Sequence, residues 1–326
     1  MRSKIFMIHR IAVLTLIAAV LVAPHARAAD KVAVGMVGQP SVNLWPVVIA
    51  VDKGYFADEG VEAQLFYVQS NTAAVQQLAA GSLDVCMAIG LVDPMRAIQM
   101  GASIAILRID VQVPPFALVA KPAIKSMKEL KGKVVSLGGP KDITRIYVER
   151  MLEPNGVKPG EFDMIFAGAT AARAQALLAG AVDATILMAP FNFQVVGQGF
   201  NELGLAIDYI KDLPLSGIIV NVNWANAHKG LVQKLLQAYS RGTAFFEDVR
   251  NRDEAIRILQ AASGLKKEDV EKGYDFQRNG HYFDTSGKVS RAKLTSLAKA
   301  MESLGDLPGS FNIDRMFLPG VTQVTD

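Results

Sequence analysis

The sequence predicts an α/β protein of two similar lobes, each a βαβαβ unit with a mainly parallel, doubly wound sheet, joined by two crossings of the chain. Three observations carry this reading. Short apolar runs alternate with helical patterns from residue 31 to residue 188, the order expected of parallel sheets. The segment Gln77-Leu78-Ala79-Ala80-Gly81-Ser82-Leu83-Asp84 has a degenerate twin in Ala176-Leu177-Leu178-Ala179-Gly180-Ala181-Val182-Asp183, so Gly81 and Asp84 recur at an offset of 99 residues. That offset is the size of a small lobe and too long for a solenoid repeat. No low-complexity linker separates the copies, which suits hinged lobes rather than a string of domains.

The elements follow in order. Lys31 to Val37 is apolar enough for a buried first strand, and the turn-rich Gln39-Pro40-Ser41-Val42-Asn43 leads into a helix from Leu44 to Asp52, closed by Gly54. Val61 to Val68 reads as a strand. Ser70-Asn71-Thr72 supply N-cap residues for a helix over Ala73 to Ala80. A strand at Val85 to Ile89, a helix at Pro94 to Met100 and a strand at Ile104 to Ile109 complete the first lobe. In the second, strands at Lys133 to Leu137, Met164 to Phe166 and Ala184 to Met188 alternate with helices at Ile143 to Leu152 and Ala171 to Ala179. Leu205 to Ile207 and Gly217 to Val222 read as further strands, and Gly230 to Phe246, Asp253 to Ala262 and Arg291 to Leu304 as helices. The division expected is residues 29–116 with 221–326 in one lobe and 117–220 in the other, with the hinge near 114–122 and 214–223.

Residues 1–28 read as an export signal: Arg2, Lys4 and Arg10, then the apolar run Ile11 to Val22, then a small-x-small cleavage site at Ala26-Arg27-Ala28. Its removal takes four of the 34 Lys+Arg and none of the 31 Asp+Glu, leaving 30 against 31. The basic balance therefore belongs to the signal, and the remaining chain offers no basic footprint for nucleic acid. Cys86 stands alone inside an apolar run, so no intramolecular disulfide forms and the core must hold the fold. It is also far from the cleavage site, where a lipidated Cys would sit. These features describe a periplasmic protein.

Ligands of open α/β sheets sit at the carboxyl ends of the strands. Here those ends lead into helix N-termini, whose free N–H groups and dipole favour anions. Four such turns flank the expected cleft, bringing Gln39, Ser41 and Asn43; Ser70, Asn71 and Thr72; Gly138, Gly139, Asp142 and Thr144; and Thr170. Each polar residue among them either caps its own helix or binds a ligand. Arg145 and Arg173, each three residues beyond a capping residue, are either anion-binding groups or side chains turned to the surface. Arg108, two residues from Asp110 in an apolar strand, is either a third candidate cation or half of an internal ion pair. Trp45 and Phe191 are core residues or stacking faces for a planar ligand. The ends of the third strands, Gly90-Leu91 and Ala189-Pro190-Phe191, should face each other across the ligand.

Catalytic and metal constellations are missing from the sequence. Beyond residue 28 only His228 and His281 occur, far apart, and no Walker loop, G-x-S-x-G elbow or H-E-x-x-H is present. No catalytic residue, metal ligand or cofactor is expected.

Ala50-Val51-Asp52-Lys53-Gly54-Tyr55-Phe56-Ala57-Asp58-Glu59-Gly60-Val61 resembles the A-x-x-K-G-(F/Y)-F-x-x-E-G-(L/V) signature of ABC-transporter substrate-binding proteins of the sulfonate/nitrate/taurine group, also called NMT1/THI5-like. Gln76 to Asp84 is similar to the group's Q-x-L-x-x-G-x-(L/I)-D element, and Glu129-Leu130-Lys131-Gly132-Lys133 to its (D/E)-L-K-G-K. The resemblance implies the type II periplasmic-binding-protein fold with two hinge strands. It also implies a small-molecule ligand in the interlobe cleft, a monomer, and an inner-membrane permease with its ATPase as partners. Trp45-Pro46 stands where the group often has Ala-Pro, and Gly138-Gly139-Pro140 replaces a Ser/Gly run. Both departures point to a planar or aromatic organic anion, or a sulfonate-like one, rather than nitrate. Two other functions carry over from the resemblance: a solute receptor for a membrane sensor, and a THI5-type pyrimidine-synthesis enzyme. The enzymes use a Cys-rich motif and an active-site His, which this chain lacks near its cleft turns.

Overall fold

A computed structural model describes residues 29–38 and 40–326; the expected export signal and Gln39 lie outside the described residues. Two five-stranded sheets form the frame. The first takes β1 (Asp30–Val37), β2 (Val61–Val68), β3 (Val85–Gly90), β4 (Ile104–Val111) and β10 (Ser216–Asn221) in the order β2-β1-β3-β10-β4. The second takes β5 (Phe116–Ala120), β6 (Val134–Leu137), β7 (Asp163–Phe166), β8 (Ala184–Met188) and β9 (Asn201–Leu205) in the order β7-β6-β8-β5-β9. The two orders superpose position by position. β1 lies between β2 and β3, as β6 lies between β7 and β8, and each of these trios runs parallel.

Four of the five strands in each sheet run one way, the mainly parallel arrangement read from the sequence, and one runs against them. β10 runs antiparallel to β3 and β4, and β5 antiparallel to β8 and β9. Each is the strand that enters its sheet from the other lobe, so it arrives running against its neighbours. Phe116–Ala120, read in sequence as part of a crossing, is therefore a central buried strand. Ala206 and Ile207, expected to lie in a strand, instead open the helical turn Ala206–Tyr209 after β9 ends at Leu205.

The repeated Gly and Asp do the same work twice. Gly81 and Gly180 leave the preceding helices with φ of 77° and 74°, a conformation that glycine adopts without a Cβ penalty. Asp84 Oδ2 then accepts from Ala33 N at 2.8 Å, while Asp183 Oδ2 accepts from Val134 N at 3.0 Å. The backbone closes the same ring, Asp84 N to Ala33 O at 2.9 Å and Asp183 N to Val134 O at 2.8 Å. Each clasp sets the register of β3 on β1 or of β8 on β6.

Alternation of side chains across the strands divides the core into layers. On one face of the first sheet Val34, Met87, Leu107 and Val220 pack with Leu44, Val47 and the helix Lys229–Glu247. On the other, Cys86, Ile106 and Ile219 pack with Ala74 and Leu78 of the helix Asn71–Ala79. The long helix crosses the helix Trp45–Asp52 at Gly242, where any Cβ would collide with the Pro46 carbonyl oxygen. The longest helix to escape the sequence reading, Lys267–Asn279, is so charged that its apolar stripe narrows to Val270, Gly273 and Tyr274. It packs against the helix Phe191–Val196 of the second lobe and, through Gly273, against Trp45 of the first.

Candidate ligand-binding cleft

The carboxyl ends of β1 and β3 meet those of β6 and β8 between the lobes, and the chain is tied across this seam. Val42 N donates to Ala189 O at 3.0 Å, Asn71 Nδ2 to Asp142 Oδ2 at 3.1 Å, and Arg96 Nη2 to Lys141 O at 2.7 Å. Beneath these links lies a cavity of about 70 Å³. The first lobe lines it with Ser41, Asn43, Ser70, Asn71 and Gly90, and the second with Gly138, Asp142, Thr144, Thr170 and Arg173. Ten residues anticipated from the turns thus come together.

Arg173 is its chemical centre. The side chain is 3% exposed, and its Nε donates to Ile186 O at 3.0 Å, Nη1 to Gly168 O, and Nη2 to Thr170 Oγ1 at 3.0 Å. A guanidinium carries five N–H donors, so two remain after these three bonds. No ion pair among the described residues includes it, although lone burial of a cation is costly. Burial pushes its pKa down to about 10, with Asp142 nearby pulling the other way, so the group stays charged at neutral pH. It projects from the helix Thr170–Leu178, whose N-cap, Ala169, has no side chain able to satisfy the first N–H groups. Helix dipole and guanidinium therefore direct positive potential into one small space.

The other turns are already occupied by local bonding. Asp142 Oδ1 caps its helix by accepting from Thr144 N at 3.0 Å and Thr144 Oγ1 at 2.6 Å. Asn71 holds β3 through Gly90 N to its Oδ1 at 3.1 Å. Ser70 Oγ accepts from Ala73 N at 3.2 Å as an N-cap.

Several expected residues do not reach the cavity. Trp45 is 0% exposed, tilted against Phe246 at 5.8 Å between ring centroids and covered by Gly273. Phe191, 3% exposed, packs beside Leu187 and Val195, while Leu91 is fully buried and Pro190 sits against Gly273. The helix Lys267–Asn279, unseen in the sequence, supplies the cover that makes core residues of Trp45 and Pro190. Thr72 Oγ1 turns to Asp93 Oδ1 at 3.0 Å, and with Gly139 it borders a neighbouring pocket. Arg145 folds back onto Glu149 Oε1 at 2.9 Å, one turn along its own helix. Arg108 forms no ion pair with Asp110; it donates to Ser240 Oγ at 2.9 Å and Asp284 O at 2.6 Å and lies over the Tyr239 ring. Conversely Phe116, Met188 and Ser216 line the cavity without having been anticipated. Phe116 and Ser216 lie within the two crossings and Met188 ends β8, and nothing in their local sequence marks that role.

Residues 41–249 match the family model described as NMT1/THI5 like. The chain belongs to the NMT1/THI5-like family. The fold of this family member is shared with solved structures across nearly its whole length. The alkanesulfonate-binding protein SsuA from Xanthomonas axonopodis pv. citri, bound to MOPS, superposes with a TM-score of 0.71 at 17% identity, over 91% of this chain and 99% of that one. The periplasmic nitrate-binding protein NrtA from Synechocystis PCC 6803 gives 0.71 at 16% identity, over 88% and 84%. The periplasmic aliphatic sulphonate binding protein SsuA from Escherichia coli gives 0.69 at 17% identity, over 90% and 98%. A search of curated proteins finds no match. These neighbours establish the periplasmic-binding-protein fold for this NMT1/THI5-like chain. No helix among its described residues is long and apolar enough to cross a membrane.

Proposed function

We propose that the protein is the solute-binding component of an ABC importer, exported to the periplasm. In this reading it captures a compact organic anion, of which a small sulfonate or carboxylate is the model, between lobes 29–116 with 221–326 and 117–220. Hinge motion near 114–122 and 214–223 would open and close the cleft, and the closed monomer would hand the solute to an inner-membrane permease and its ATPase. The supporting observation is Arg173: a buried cation without a carboxylate partner, beside an uncapped helix N-terminus, in a cavity that both lobes enclose. A group carrying negative charge supplies what that guanidinium lacks.

Trp45 and Phe191 lie in the core, so the planar aromatic anion that the sequence suggested has lost the stacking faces behind that expectation. An enzymatic role finds no support in Cys86, which is fully buried, its pKa pushed up to about 12 by that burial. Neither His228 nor His281 lines the cavity.

A thermal-shift screen of the protein against sulfate, nitrate, short alkanesulfonates, short carboxylates and benzenesulfonate tests the proposal. Small organic acids should raise Tm and the effect should vanish in Arg173→Met. Stabilisation by benzenesulfonate alone, undiminished in Arg173→Met, would overturn it.

A further inference from the structure

A second cation is buried in the first lobe, outside the cleft. Arg108 is 2% exposed and lies at the floor of a surface groove of about 490 Å³, which shares no lining residue with the cleft cavity. The groove forms where β4, the helix Lys229–Glu247, the turn at 286–287 and the chain end at 321–323 meet. Of the five N–H groups of the guanidinium, one goes to Ser240 Oγ at 2.9 Å and one to Asp284 O at 2.6 Å. Nε is buried and has no partner among the described residues. Carboxylates stand close by, yet each is engaged elsewhere. Asp284 turns both oxygens onto Ser286 and offers Arg108 only its main-chain carbonyl. Asp110 accepts from Ser216 at 2.5 Å. At the rim Glu59 lies 3.8 Å from Arg241, which also pairs with Asp58 at 2.7 Å. The rim charges are thus balanced, and Arg108 is left without a counter-ion, a costly state for a buried cation. Gly287, at φ of 72°, has no Cβ to cover Nη1, which one would touch at 3.6 Å. Ser240 Oγ accepts from Nη1 and keeps its own proton for an acceptor in the groove. Leu107, Leu236 and Val321 supply apolar wall.

We infer that this groove is a second binding site, for a small organic acid whose carboxylate rests on Arg108 and Ser240 and whose apolar body runs along Leu236 and Val321. A planar oxoanion takes charge-assisted, paired bonds from a guanidinium, and an apolar body removes the walls from water. A bare ion covers no wall, and a neutral chain leaves the guanidinium without its counter-charge. Both halves of the ligand are therefore required.

Crystals grown with 6-bromohexanoate test the location: the anomalous signal of the bromine should lie against Leu236 and Val321. Calorimetry tests the chemistry, in the Arg173→Met background so that the cleft contributes little heat. Hexanoate should bind about tenfold or more tightly than either acetate or hexan-1-ol. Ser240→Asp, at an exposed helical position, sets a carboxylate beside Arg108 in place of the ligand's own. It should weaken hexanoate at least about thirtyfold while raising the ligand-free Tm, which separates the loss from misfolding. Ser240→Asn, of the same size but uncharged, should stay within about threefold of the parent. No bromine in the groove, or a hexanoate affinity that Ser240→Asp leaves unchanged, would overturn the inference. So would equal losses in Ser240→Asp and Ser240→Asn, since bulk rather than charge would then explain them.

Discussion

Replacing Arg173 by methionine separates a ligand-binding cation from a structural strut. Burial holds the guanidinium near a pKa of about 10 against an ordinary 12.5, so keeping it charged in the ligand-free fold costs on the order of 3 kcal/mol. Its three hydrogen bonds, each worth about 1 kcal/mol net or somewhat more, offset much of that. Methionine fills a similar volume without the charge, so the two losses nearly cancel. The ligand-free Tm of Arg173→Met should lie within about 4 °C of the wild type, or above it. Binding should behave very differently. The two free N–H groups each offer an acid about 1.5–3 kcal/mol as charge-assisted bonds, so their loss should weaken affinity roughly a hundredfold to ten-thousandfold. Differential scanning fluorimetry and calorimetry on the best acid from the screen read both quantities. A large fall in the ligand-free Tm with affinity unchanged would show that Arg173 only braces the turn at residues 168–170.

Asp110 makes a prediction about pH. Burial raises its pKa to about 6 from 3.8, against the lowering effects of Ser216 and Arg108, so the folded state takes up a proton more readily than the unfolded chain. Its destabilising effect is present at pH 7 and fades as pH falls through 6 towards 4. The stability of the wild type relative to Asp110→Asn should therefore rise by about 2 kcal/mol between pH 7 and pH 4, measured by urea unfolding; a flat difference would refute it. Gly242→Ala should cost about 3 kcal/mol or more, because the new Cβ meets a backbone carbonyl that cannot move aside; an unchanged denaturation midpoint would contradict that packing. Asp84→Ala and Asp183→Ala should each lose about 1.5–3 kcal/mol, since each deletes the same clasp in its own lobe. Effects of very different size in the two variants would show that the clasps are not equivalent.

Much of the scaffold was legible because it depends on local chemistry. The Gly-x-x-Asp repeat marks a helix stop and a strand clasp, and both follow from backbone conformation and one short side chain. The cleft turns were legible for a similar reason: helix N-termini follow strands, and small polar residues mark them. Arg145 and Arg173 could have been separated by one further look along the helix. Four residues after Arg145 stands Glu149, a ready ion-pair partner, whereas four after Arg173 stands Leu177.

The rest required the tertiary structure. Strand direction in each sheet depends on which lobe a strand arrives from, and apolar patterning is the same for a parallel and an antiparallel neighbour. Whether Trp45 and Pro190 meet a ligand or a helix depends on Lys267–Asn279, more than 200 residues beyond Trp45 and too polar to announce its packing face. Ser216 enters the cavity wall only because β10 returns to the first sheet, where Asp110 on β4 accepts its hydrogen bond. The sequence alone determined that there are two lobes with small polar turns at the cleft between them, since helix ends and capping residues act over a few positions. Which side chains face the cavity, and whether they offer donors or acceptors there, was decided by contacts between segments that only folding brings together.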